Sequence, residues 1–189
     1  MILSYVYVYT KHKDMKRALI VLGSIIILLV SSVKAEYRIS SAGRQHIKKY
    51  ESCSLISYRD SGGWSIGYGH HTSSVKAGQR ISQKQAEKLF NEDIQKAEKM
   101  TNWLLKRLPY SYKFSQGFID GLVSLVYNAG VGSIQRSCFY NRLMRCRVRK
   151  GVMNSDDYIY TIAAVKSTCV SSPGHKSRRA AEYKMMLEK

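Results

Sequence analysis

Acidic residues are scarce in this chain. Its 189 residues carry 13 Asp and Glu against 31 Lys and Arg, a formal net charge of +18. So one-signed a charge implies a polyanionic partner: nucleic acid, an anionic membrane or a cell wall. Proline is nearly absent, with two residues, and Pro109 is the one that breaks the chain between helical stretches. Four cysteines and five histidines show no CxxC or HxxxH spacing. That excludes a zinc site of the finger type and leaves neither metal nor cofactor implied. No internal repeat, low-complexity linker or recognised nucleic-acid motif occurs, so one domain is expected and no nucleic-acid partner.

The first 35 residues differ from the rest. A basic stretch, KHKDMKR, precedes the apolar run Ala18 to Val33, and small residues follow at Val33 and Ala35. This is the order of a secretory signal peptide. Its 16 residues fall short of the roughly 20 a membrane span needs. Residues 1–35 therefore read as a signal peptide or signal-anchor segment, and residues 36–189 as the exported domain. Met15 would make a tidier start. The leader holds five of the Lys and Arg and one Asp, a net of +4, so the remainder keeps 18 − 4 = +14. Export makes the cysteines at 53, 138, 146 and 169 candidates for two disulfides. Cys138 and Cys146 are eight apart, about 12 Å along one straight helix, too far to bond. Either that helix breaks or each pairs with Cys53 or Cys169.

Hydropathy patterning organises residues 36–189 as α+β. SSAGRQHIKKYES reads as a helix with Ser40 or Ser41 as N-cap. LISYRD and WSIGYGH, separated by SGG, read as a hairpin, with Trp64, Ile66 and Tyr68 alternating on a half-buried strand. Ser82 and Gln85 form a capping box ahead of a stripe through Ala86, Leu89, Phe90, Ile94 and Ala97. Ser115 caps a second stripe through Phe118, Leu122, Leu125 and Val126, which Gly130 and Gly132 stop. Helices near 134–147, 156–166 and 176–188 follow. A cleft between a small hairpin lobe and a larger helical lobe is the natural ligand site.

Two of the scarce acids flank the hairpin turn. Glu51 ends the first helix, and Asp60 opens the turn nine positions later. A glycosidase needs such a pair: one carboxylic acid protonates the leaving oxygen, the other activates water or stabilises charge on the sugar ring. Tyr50, Leu55 and Ile56 are expected to desolvate Glu51 and favour its protonated form, while glycine amides and Arg59 favour an ionised Asp60. On spacing alone, Glu51 also reads as a helix end and Asp60 as ordinary turn chemistry.

The stretch resembles the phage-type lysozymes, glycoside hydrolase family 24. Their motif is a Glu, eight residues, an Asp, then a Thr, in a segment ending in a Gly-Tyr-Gly-His-like run. Glu51, Asp60 and IGYGH at 66–70 match it. QKQAEKLFNEDI, FSQGFIDGLVSLVYNAGVGSI and GHKSRRAAEYKMM are similar to later helices of that family. The resemblance covers roughly residues 44–187. It implies a lysozyme-like fold and catalytic roles for Glu51, Asp60 and a hydroxyl. That hydroxyl is Ser65, five residues past Asp60 instead of six, so the turn is one residue shorter. The resemblance further implies substrate contacts at Tyr127, Asn128 and Gly130, a supporting hydrogen bond at His70, and an arginine near Glu51 from Arg178 or Arg179. His71 reads as an exposed neighbour, and Arg178 and Arg179 read equally as a solvated basic face.

The expected activity is hydrolysis of the β-1,4 bond between N-acetylmuramic acid and N-acetylglucosamine in peptidoglycan by an exported monomer held to an anionic wall. The rivals are a lytic transglycosylase acting on the same bond and a non-enzymatic wall- or membrane-binding protein.

Overall fold

The computed structural model describes residues 36–60 and 62–188. The apolar run at 18–33 and the cleavage pattern at 33–35 lie outside them. Among the described residues no helix is long and apolar enough to cross a membrane.

Helix α1 (Ser41–Glu51) starts at Ser40, whose side chain accepts from the Gly43 amide. Its C-cap, Ser52, adopts φ 57° and returns its N–H to Lys48 O. That left-handed residue turns the chain sharply out of the helix immediately after Glu51. Strands β1 (Ser54–Asp60), β2 (Gly63–Gly67) and β3 (His70–His71) follow as an antiparallel sheet in sequence order. Asp60 pairs with Gly63, Tyr58 with Ser65, and Ser65 in turn with His71. The expected hairpin is therefore present. Ile66 is buried as the alternation requires, but Ser65 on the opposite face is buried as well.

Helix α2 (Gln83–Lys106) begins at the Ser82–Gln85 capping box. Its 24 residues extend about 36 Å. It packs on β2 and β3 and also on α3 (Gln116–Ala129), so one rod serves both lobes. Helix α3 begins at Ser115, whose side chain accepts from Phe118 N, and it is buried continuously from Phe118 to Val126. A helix apolar on every side belongs at the centre of the core. There Phe118 stacks on Phe114 at 4.3 Å and tilts toward Phe139 at 6.4 Å. Burying one such ring contributes about 2–3 kcal/mol. Gly121 lets the last helix approach, since a Cβ there would stand 2.7 Å from Met186 Cγ.

Past Gly130 the chain departs from expectation. One helix over 134–147 is replaced by two short ones, α4 (Val131–Gln135) and α5 (Cys138–Leu143), because Ser137 N-caps the second by accepting from Tyr140 N. A small hairpin, β4 (Val148–Arg149) and β5 (Val152–Met153), follows around Lys150 and Gly151, both at positive φ. Asn154 then caps α6 (Ser155–Ala163), a 3-10 turn spans Ala164–Ser167, and Ser172 caps α7 (Pro173–Leu187).

The two expected disulfides are not formed; all four cysteines are free thiols. Only Cys138 lies within a helix or strand. Cys53 lies by Gln83, its Sγ 3.8 Å from Oε1. Cys138 opens α5, whereas Cys146, past that helix's end, is buried with Sγ 3.2 Å from Thr161 Oγ1. Cys169 precedes α7.

Candidate active site

Glu51 is the last residue of α1, and it meets α7 there. Arg178 Nη1 donates to Glu51 Oε1 at 2.5 Å, across 127 positions of sequence. Arg178 is 3% exposed and its Nε donates to Glu182 Oε1 at 3.1 Å. Arg179, fully buried, donates to Glu182 Oε2, to Asn128 Oδ1 and to Thr168 O. Ser124 Oγ donates to Glu182 Oε1 at 2.5 Å. Two guanidinium groups and two carboxylates thus balance in charge, which is what makes their burial tolerable. The basic pair is no solvated face. Its partner Glu182 follows at i+4 and i+3, a spacing the sequence displays but which does not reveal burial. The apolar surround expected for Glu51 differs too, since Leu55 and Ile56 are 39% and 42% exposed.

Gly69 brings the hairpin lobe against the same acid. It sits at φ 84°, and a Cβ there would stand 3.3 Å from Glu51 Oε2. Only glycine tolerates both the backbone and the approach.

Asp60 reaches the site along the sheet. Residues two apart share a face, so Tyr58 and Asp60 project together from β1. The register sets Ser65 opposite Tyr58 and diagonal to Asp60. Ser65 Oγ lies 3.5 Å from Asp60 Oδ2, so the shortened turn keeps hydroxyl and carboxylate in contact. Burial pushes the Tyr58 phenol up, and the charges of Asp60 and Glu51 push the same way. Both acids therefore act on one phenol.

The remaining expected residues fall as follows. His70 Nδ1 pairs with Asp93 Oδ2 at 2.7 Å, tying β3 to α2. Tyr127 donates its hydroxyl to Tyr68 O at 2.7 Å. Burial raises its pKa, and the charge of Glu51 adds to the rise. Gly130, at φ 75°, ends α3 and opens α4. A cleft of about 270 Å³ is lined by Gly69, His71, Asp93, Tyr127, Gly130 and Val131; it adjoins the site at Gly69 and His71, and Glu51 and Asp60 do not line it. A larger concavity, about 760 Å³, lies between α5 and α6, and none of the expected site residues lines it. Sequence reasoning missed Asp93, Glu182 and Ser124, and it placed His71 outside the site; His71 Nδ1 in fact lies 3.2 Å from Ser65 Oγ.

This architecture has close counterparts. The muramidase domain of SpmX from Asticaccaulis excentricus superposes with a TM-score of 0.66 at 23% identity, covering 81% of this chain and 99% of that one. The endolysin of Escherichia coli O157:H7 phage FAHEc1 gives 0.65 at 28% identity, over 82% and 96% of the two chains. The α+β fold is therefore lysozyme-like. In sequence, the endolysin of Bacillus phage PZA is 36% identical over 103 residues, 53% of this chain and 38% of that protein. The endolysin of Acyrthosiphon pisum secondary endosymbiont phage 1 is 34% identical over 106 residues, 56% of this chain and 68% of that protein. The chain thus spans less than half the length of the Bacillus-phage relative. Residues 48–182 match the phage lysozyme family, and the chain belongs to that family.

Proposed function

We propose that this chain is a muramidase that hydrolyses the β-1,4 bond between N-acetylmuramic acid and N-acetylglucosamine in peptidoglycan. One observation carries the reading: two carboxylates flank a single short hairpin and are held differently. Glu51 is clasped by a buried guanidinium at a helix end, while Asp60 sits on the sheet beside a buried hydroxyl.

In this reading the glycan lies along the cleft with its scissile bond between the two acids. Glu51 donates its proton to the glycosidic oxygen as the bond to the anomeric carbon breaks. A water held by Asp60 and Ser65 attacks that carbon, and Asp60 takes the proton the water gives up. Glu51, left ionised, is neutralised by Arg178. Tyr127, Asn128 and Gly130 form the opposite wall and bind sugar. Residues 1–35 direct export, as a cleaved leader or a releasable anchor, and the +14 charge of the remainder draws a monomer to the anionic wall.

The test is product analysis. The full chain, Glu51→Gln and Asp60→Asn are each incubated with purified peptidoglycan, and the fragments are resolved by mass. Reducing muramic ends from the parent and none from Glu51→Gln support the reading. Ends of the 1,6-anhydro type would mean that water takes no part and would assign a lytic transglycosylase. No release from a folded parent would leave a wall-binding protein.

A further inference from the structure

The Asp60–Ser65 pair has a third member. We propose that His71 is a positioning residue that fixes the direction of the Ser65 hydroxyl, so that Ser65 offers the attacking water a lone pair; the proposal rests on the hydrolytic reading above.

Ser65 sits in the middle strand, with Tyr58 across from it on one side and His71 on the other. Its Oγ is 3.2 Å from His71 Nδ1 and 3.5 Å from Asp60 Oδ2. Ser65 is 1% exposed, so its one proton goes to a protein partner and not to bulk water. Two acceptors compete for it. If the hydroxyl turned to Asp60, it would occupy a carboxylate oxygen that has to receive the proton of the attacking water. A neutral imidazole with its proton on Nε2 accepts at Nδ1 instead. The lone pairs of Oγ then remain as acceptors for the water, and the hydroxyl proton is turned away from Asp60 Oδ2. The imidazole therefore decides which way the hydroxyl points.

The hairpin is built around that ring. A Cβ on Gly62 would stand 3.2 Å from His71 Nε2, and one on Gly63 would stand 3.2 Å from Cε1. Both glycines lie close against the imidazole, which is otherwise exposed and lines the cleft with Gly69 and Tyr127. The short turn, the serine and the second histidine of GHH thus form one arrangement.

The experiment measures kcat and KM on soluble uncrosslinked glycan strands for the full chain and its variants. His71→Phe keeps the ring shape and removes both nitrogens. Loss of one orienting hydrogen bond predicts a kcat about tenfold lower with KM changed less than about twofold. His71→Asn sets an amide oxygen near the Nδ1 position and is expected to recover most of that loss. In a Ser65→Ala background, His71→Phe is expected to cost less than about twofold, because no hydroxyl is left to orient. His71→Phe at the parental rate, the same tenfold loss without Ser65, or His71→Asn as slow as His71→Phe would each overturn the proposal. If His71→Phe does not fold, His71→Gln replaces it, with its acceptor at the wrong ring position and an equally slow rate expected. Glu51→Gln is run alongside. An active Glu51→Gln removes the hydrolytic reading itself, whereas an inactive one beside a fully active His71→Phe removes only the role of His71.

Discussion

Arg178 joins two carboxylates with one side chain: Nη1 lies 2.5 Å from Glu51 Oε1, and Nε lies 3.1 Å from Glu182 Oε1. The first contact fixes the acid that ends α1 against the last helix. The second anchors the guanidinium inside the core. The fork of a guanidinium suits this task, since its donors diverge at fixed angles.

Replacing Arg178 by Lys removes that divergence. An ammonium is a point charge and reaches one carboxylate at a time. Arg178→Met goes further and strands Glu182 beside a single remaining cation. Breaking a buried ion pair this way costs about 3–5 kcal/mol. Urea unfolding should show Arg178→Met well below the parent and Arg178→Lys between the two.

Glu51→Gln keeps the hydrogen-bonding shape but has no proton to give. General acid catalysis contributes about 100- to 10,000-fold, so a loss in that range is expected. Reducing-end release from peptidoglycan measures it. The amide can still accept from Arg178 but carries no charge, so the thermal midpoint should fall somewhat while the fold is kept. A similar rate for the variant would remove Glu51 from the proton-donating role.

Tyr127→Phe tests how the two lobes are held together. The hydroxyl it removes donates to Tyr68 O across the cleft. The net cost is about 1 kcal/mol, read from urea unfolding. Faster amide exchange around Tyr68 and Gly69 should accompany it, with little change at α5 and α6.

His46 gives the fold a pH dependence. Burial lowers its pKa from the ordinary 6.5, against a raising pull from Glu182, while Arg178 and Lys49 lower it further and Asp120 raises it. Its Nε2 has no hydrogen-bond partner. Near pH 6 the unfolded chain binds a proton there that the folded chain refuses. The stabilisation is therefore present above 6.5 and is lost as pH falls through the folded value. The urea midpoint should drop between pH 7.5 and pH 5.5, and His46→Phe should flatten that slope.

Several features were legible because they are local. Ser82 with Gln85, and Ser115 ahead of an apolar stripe, announce helix starts within four residues. Asp60 before Ser-Gly-Gly announces the turn. Other features were misread for equally physical reasons. The run 134–147 carries a helical stripe, yet Ser137 caps a new helix inside it, because a serine competes for backbone donors that a continuing helix would use. The even count of four cysteines suggested two bridges, whereas all four are free and Cys146 is held against Thr161.

The amino-acid sequence by itself determined the element order as far as Gly130, the α+β class and the placement of Glu51 and Asp60 on either side of β1, since each follows from spacing within a few residues. The tertiary structure alone decided the surroundings of those acids. Arg178 and Arg179 read as solvated charge until α7 docks on α3 and buries them with Glu182. His71 is exposed, as its sequence suggested, but only the sheet register sets it beside Ser65. A contact between residues 51 and 178 depends on how three helices pack, and no pattern along the chain carries that distance.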